Sequence, residues 1–365
     1  MKILIISNIP SPYRIDFFNV LGKYVDLTVV FEAKSARGIT FNWNIEEIQN
    51  FKAVFLKDGV INEKKIDWTI LKYIKKNHYD HIIITSYAYF TEMVALLALK
   101  ALKIPYFLEV DGGLIRHENK LKKTFKKFLI SNAKGYFSPS NSSDDFLVYY
   151  GAKRNLIHRY PFTSLNEKDI LDQLVPDEEK AILKKELGIS ESKVILAVGR
   201  FIHIKGFDIL LKASKDIDQK VGIYFVGGKP TEEYIELRNK YKSNHVYFEG
   251  FKSKEELSKY LKAVDLFVLP TREDVWGLVI NEAMASGLPI ITTDKCTAGL
   301  ELIKDWNNGF IVESEDSAAI VNRVKTILSD DPLKYKMGHN NLQTIKQYTI
   351  EKMTEKHLDI FYREK

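Results

Sequence analysis

Short apolar runs alternate with helical stretches almost throughout this chain, and that alternation is what most constrains its fold. In the first half the runs are Ile3–Ile6, Leu27–Phe31, Ala53–Leu56, His81–Thr85, Tyr106–Val110, Gly135–Ser138 and Leu156–His158. In the second half they are Val194–Val198, Gly222–Val226, Val246–Phe248, Leu266–Leu269, Ile290–Thr292 and Phe310–Val312. Most are built from Val, Ile, Leu and aromatic residues, as strands buried on both faces of a parallel sheet must be. Helical periodicity fills several gaps between them, as in Ile66–Lys76 and Glu92–Leu102. Strand and helix in alternation predict an α/β chain with doubly wound parallel sheets. A length of 365 residues is enough for two domains at about 100–200 residues each. The break is expected within Phe162–Pro176, giving domains at 1–165 and 166–348. The amphipathic tail 349–365 is expected to pack back on the first domain.

Composition narrows the class. With 45% hydrophobic and 28% charged residues the chain is not a disordered one. No run approaches the ~18 apolar residues of a membrane span. The N-terminal apolar run is too short for a signal peptide. The single cysteine, Cys296, excludes a disulfide framework and a thiolate metal cage. A cytoplasmic setting is expected. The net charge is +6, and it is unevenly spread. Residues 1–165 carry a net +9 and residues 166–365 a net −3. That asymmetry points to an anionic partner for the first half.

Two motifs in the second half carry chemistry. In Val198–Leu210, VGRFIHIKGFDIL, a strand ends beside Gly199, then Arg200 and Lys205 precede a helix. Two cations at a helix start suit a diphosphate; the alternative is a pair of solvated surface charges. In Leu269–Asp294 an acidic loop, Glu273–Asp274, leads through Trp276 and Gly277 into a helix containing Glu282. Gly277 lets backbone approach a ligand, and the N–H groups of Leu278 and Val279 are free to bind an anion. Asp274 and Glu282 are eight residues apart, about two helical turns. Carboxylates so placed can accept from sugar hydroxyls. The alternative makes Asp274 a helix N-cap and Glu282 a buried ion-pair partner.

In this order and spacing, the two motifs resemble glycosyltransferase family 4, retaining nucleotide-sugar transferases of the GT-B fold. The resemblance covers most of the chain and is strongest over Val194–Val312. The opening NIPSPYRIDFFNVLGKYVDLTVVFE is similar to members that build bacterial surface polysaccharides, and Asn308–Val312 is similar to a following N-G-hydrophobic strand. The resemblance implies two facing Rossmann-like domains with the donor cleft between them. It implies that Gly199, Arg200, Lys205, Gly277, Leu278, Val279 and Glu282 bind the donor, Glu282 through the ribose. It places Asp274 near the transferred sugar, where the family usually has Glu; Glu273 is the adjacent substitute. The chain departs from the family twice more. Asn8–Pro12 stands where many members have a Gly-Gly loop. Glu109 or Asp111 stands where many have a His facing the sugar. The other reading of Asp111–Gly112 is a plain turn.

The segment Lys100–Lys134 holds nine Lys/Arg and three acids, a net +6, so the rest of the chain sums to zero. Within it Leu121, Phe125, Phe128 and Leu129 recur at helical spacing among Lys122, Lys123, Lys126 and Lys127. Such a helix can lie on anionic lipid; the alternative is a core-packed helix with a solvated lysine face. Trp43, Trp68 and Trp306 read as packing, and the eight histidines show no metal-ligand spacing.

The expected function is transfer of a sugar from a nucleotide-diphospho-sugar, UDP-linked, to a hydroxyl of a glycan or lipid-linked acceptor in capsule, O-antigen or exopolysaccharide synthesis. The setting is the inner membrane face, with no metal or other cofactor and no nucleic-acid partner. Two alternatives stand: a nucleotide-sugar-binding subunit without activity, and another GT-B enzyme such as a sugar-nucleotide epimerase.

Overall fold

The computed structural model describes residues 1–35, 47–61, 65–116 and 118–364. Trp43 lies outside the described residues. The chain divides into two compact units, Met1–Ser164 with Thr349–Lys365, and Leu165–Tyr348.

The first unit is a parallel sheet of seven strands. These are β1 (Lys2–Ser7), β2 (Asp26–Ser35), β3 (Lys52–Val60), β4 (His81–Ile84), β5 (Phe107–Glu109), β6 (Gly135–Ser138) and β7 (Ile157–Arg159), in the order β3-β2-β1-β4-β5-β6-β7. The second unit holds six: β8 (Lys193–Val198), β9 (Val221–Val226), β10 (Val246–Glu249), β11 (Leu266–Leu269), β12 (Ile290–Thr293) and β13 (Gly309–Val312), in the order β10-β9-β8-β11-β12-β13. All thirteen apolar runs are strands, and every pairing between them is parallel. The strand order reverses at β1/β4 and at β8/β11. In open α/β sheets the crevice at the carboxyl ends of such a switch point is where ligands bind.

The periodicity over Ile66–Lys76 yields only a 3-10 turn, Trp68–Lys72, capped by the Asp67 carboxylate accepting from the Thr69 N–H at 3.0 Å. Ile70 alone in this turn is buried, while Trp68 and Leu71 are exposed. Ile74, just beyond the turn, is also buried in the core, so this apolar face is covered without a continuous helix. Trp306, also read as packing, stands 54% exposed beside Phe310.

The tail forms the helix Ile350–Arg363 and buries Met353, His357, Ile360 and Phe361 within the first unit. The His357 ring stacks on Phe137, with centroids 4.5 Å apart. The His81 ring shares a 2.9 Å hydrogen bond with the Phe361 carbonyl. The last helix therefore completes the core of the domain that contains β1.

Glu92 sits in the first turn of the helix Phe90–Ala101 and is fully buried. Burial, with Glu32 adding repulsion, raises its carboxyl from an ordinary 4.5 to about 8. The folded chain thus binds a proton that the unfolded chain releases between those values, and stability falls as pH rises through that window. Glu92→Gln should remove this dependence, so its gain in melting temperature over the wild type is expected to be larger at pH 8 than at pH 5.

Candidate functional site

The loops after β8 and β11 meet, and their contacts explain why both motifs are needed. The Ile204 carbonyl accepts from the Arg272 N–H at 2.8 Å and from the Thr271 hydroxyl at 2.7 Å. Gly206 has φ +64°, and a Cβ there would lie 2.0 Å from the Pro270 carbonyl oxygen. Only glycine fits both the left-handed backbone and that approach. Arg272 grips Asp208 through two bonds of 2.7 and 2.6 Å, donates to the His203 carbonyl at 2.8 Å and pairs with Glu315. Sequence reading assigned Arg272 no role. Its partner Asp208 lies 64 residues away, and only the strand order brings them together.

Within this frame the Lys205 ammonium and the Asp274 carboxylate meet at 2.5 Å, with side chains 18% and 14% exposed. The helix Leu278–Ala285 takes Gly277 as its N-cap, which overturns the N-cap alternative for Asp274. Its first turn contains no acid of its own, and the Asp274 carboxylate, held by Lys205, lies beside the Gly277 cap. Arg200 is exposed beside Gly199, whose N–H donates to the Val226 carbonyl at 2.9 Å. Glu273 and Glu282 are half-buried. The structure therefore gathers two cations, an acid and a helix start at the carboxyl ends of β8 and β11. That set can hold a diphosphate and accept hydrogen bonds from hydroxyls.

The turn after β12 braces the acidic loop through an isolated bridge between Asp274 and Cys296. The Asp274 N–H donates to the Lys295 carbonyl at 2.9 Å, and the Cys296 thiol to the Trp276 carbonyl at 3.2 Å. Burial, with Asp274 nearby, pushes that thiol up to about 12. It remains a neutral packing group and not a nucleophile.

In the first domain the structure separates Glu109 from Asp111. Glu109 is 1% exposed, takes Arg14 at 2.5 Å and faces His357 Nε2 at 3.4 Å. Burial alone would raise its carboxyl, but Arg14 and His357 outweigh that and hold it at about 2. Glu109 is thus a core anchor, which corrects its candidacy for substrate contact. Asp111 stays 27% exposed at the end of β5. Arg14 holds one of its oxygens and the Tyr13 hydroxyl donates to the other at 3.2 Å. Burial raises the Asp111 carboxyl, and Arg14 offsets only part of the rise. Asp111 is therefore a fixed carboxylate with an open side, more than a turn residue. Sequence reading missed Arg14, which is 3% exposed; an arginine four residues past a Pro10 loop gives no signal of such burial.

The helix Lys120–Ile130 overturns the core-packed alternative. Leu129 and Ile130 are buried, but Leu121, Phe125 and Phe128 are 84%, 49% and 54% exposed. Lys122 and Lys126 pair with Glu118, Lys123 lies 3.6 Å over the Tyr149 ring, and Lys127 is exposed. Among the described residues no group of three or more His, Cys, Asp or Glu is placed to hold a metal ion.

Gly277 offers a direct test of the loop geometry. Its φ is +100°, and a Cβ would stand 2.7 Å from the Cys296 sulfur. Gly277→Ala is expected to destabilise the chain by roughly 1–3 kcal/mol. Adding Cys296→Ala should recover only part of that loss in a denaturant melt, because the backbone strain persists.

Residues 179–344 match the family described as glycosyl transferases group 1. The chain is 24% identical over 307 residues to the N,N'-diacetylbacillosaminyl-diphospho-undecaprenol alpha-1,3-N-acetylgalactosaminyltransferase of Campylobacter jejuni, covering 80% of each chain. It is 26% identical over 220 residues to the capsular polysaccharide biosynthesis glycosyltransferase CapM of Staphylococcus aureus, covering 58% of this chain and 56% of that one. Among solved structures, Anabaena Alr3699/HepE in complex with UDP superposes with a TM-score of 0.82 at 18% identity, over 100% of both chains. The same protein has been solved with UDP-glucose. The two parallel-sheet domains have the GT-B fold of these neighbours, and the chain, which carries the group 1 domain over residues 179–344, is a glycosyltransferase.

Proposed function

We propose that the chain is a retaining glycosyltransferase of surface-polysaccharide synthesis. It moves a sugar from a UDP-sugar to a hydroxyl of a lipid-linked glycan at the inner face of the cell membrane. The observation that carries the donor half is the meeting of Lys205 and Asp274 beside Arg200 and an acid-free helix start. UDP and UDP-glucose in the Anabaena neighbour support a uridine-linked donor.

In this reading Arg200, Lys205 and the N–H groups of Leu278 and Val279 bind the donor diphosphate, and Glu282 accepts from the ribose. The bond between the anomeric carbon and the diphosphate oxygen breaks with its electron pair leaving on the diphosphate. The acceptor oxygen attacks the same face, and its proton passes to the departing phosphate oxygen. Cations and helix N–H groups aimed at that oxygen stabilise charge as it develops, an effect that often dominates such catalysis. These groups balance the diphosphate without a metal ion. Asp274, or Glu273 beside it, accepts from hydroxyls of the transferred sugar. Asp111, held by Arg14 and Tyr13, orients a hydroxyl of the acceptor.

Features of the first domain support the lipid-linked acceptor. Leu121, Phe125 and Phe128 present apolar surface on a lysine-rich helix, the composition that lies in an anionic lipid interface at ~1 kcal/mol per cation. No described helix is long and apolar enough to cross a membrane. The Campylobacter relative's name includes a diphospho-undecaprenol substrate, which supports an acceptor of that class.

Lys205→Ala and Glu282→Ala should each lower transfer at least ten-fold while both variants remain folded. Near-normal turnover in both would sink the donor site. Screening nucleotide sugars for binding and slow hydrolysis needs no acceptor, and uridine-linked donors are expected to lead. Reversing the charge of Lys122, Lys123, Lys126 and Lys127 together should abolish co-sedimentation with anionic vesicles. Unchanged sedimentation would refute the membrane contact.

A further inference from the structure

Lys205 faces two claims on one charge. Its ammonium already lies 2.5 Å from Asp274, and the donor diphosphate needs the same group. The two partners differ in freedom. The Asp274 backbone is pinned on both sides, its N–H donating to the Lys295 carbonyl at 2.9 Å and its carbonyl accepting from the Thr297 N–H at 3.3 Å. The lysine has a long flexible stem and is the member that can move. Of the nearby cations, Arg200 is claimed by the same diphosphate in the proposed donor site. Arg272 is held by Asp208 and Glu315, and Lys295 by Asp294. A carboxylate only 14% exposed is costly to leave without a partner.

We propose that Lys205 and Asp274 form an exchange pair that distinguishes a nucleoside diphosphate carrying a sugar from the bare nucleoside diphosphate. Either ligand draws Lys205 onto its phosphates. A sugar then donates hydroxyls to Asp274 in place of the ammonium. The bare nucleoside diphosphate has no hydroxyl at that point, and its binding leaves Asp274 without a partner. Re-forming the pair therefore favours release of the product over release of the donor. Asp274 becomes a specificity-determining residue, selecting against the product as well as for the sugar. This inference rests on the donor site proposed above.

Calorimetric titration of the full chain with UDP, UDP-glucose and UDP-N-acetylgalactosamine tests it. Asp274→Asn neutralises the competing carboxylate. It should bind UDP at least three-fold tighter than the wild type, while the preference for the better sugar nucleotide over UDP narrows. UDP affinity that is unchanged or weaker, with a normal melting curve, would overturn the exchange. Lys205→Gln provides a second arm should that variant fold poorly. Because the wild-type lysine must leave Asp274 to bind UDP, its loss should weaken UDP less than three-fold, whereas Arg200→Ala weakens it more. A loss of three-fold or greater at Lys205 also overturns the proposal. A folded wild-type chain that binds neither UDP nor either sugar nucleotide overturns the donor site itself, and the exchange with it.

Discussion

The chemistry of the second domain depends on one junction, the main-chain carbonyl of Ile204 against the strand end at Pro270. That oxygen accepts from the Thr271 hydroxyl and the Arg272 N–H, and it locks the basic loop onto the acidic one. The junction exists because β8 and β11 are neighbours across the point where the strand order reverses. Their loops leave the sheet side by side, whereas β9, the next strand in the chain, pairs on the other flank of β8. Arg272 then ties the acidic loop to the helix start at Asp208. With both loops fixed, Lys205 and Asp274 meet as a matter of geometry, and positions held by rigid elements suit a preorganised site.

The first domain has its own internal constraint, the buried guanidinium of Arg14. Burying a cation is expensive unless acids and hydrogen bonds surround it. Glu109, the last residue of β5, and Asp111, two residues on, supply them. The consequence is a division of labour between two similar acids. Glu109 is closed off by Arg14 and the returning helix with His357, while Asp111 keeps an open side. The returning helix thus contributes to the position of Asp111, although it lies over 240 residues away in the chain.

Much of this was legible in the sequence. Thirteen apolar runs appeared as thirteen parallel strands because burial on both faces selects apolar residues along the central strands, while the edge strands β3, β7 and β10 are only partly buried. The candidate donor motif stood out because its pattern is local: a glycine turn, two cations and a helix start within a few residues. Ile66–Lys76 misled because periodicity shows which residues share a face but not the backbone that presents them: Ile70 and Ile74 are both buried, yet only Trp68–Lys72 forms a 3-10 turn. The opposite occurred at Lys120–Ile130, where Leu121, Phe125 and Phe128 carry a core-like spacing and yet stand exposed. Glu109 and Asp111 could not be separated from their types, since both are acids at the end of one apolar run.

The sequence by itself determined the two α/β domains, the strand set and the two loops that carry the basic and acidic motifs, since all of these follow from local composition and spacing. Tertiary structure alone decided the partners of the charged groups. Arg272 with Asp208, Lys205 with Asp274 and Arg14 with Glu109 span 64, 69 and 95 residues. The physical reason is that an ion pair forms between strand ends and helix starts that strand order makes adjacent. Strand order is set by packing of the whole sheet, and no local stretch of sequence encodes it.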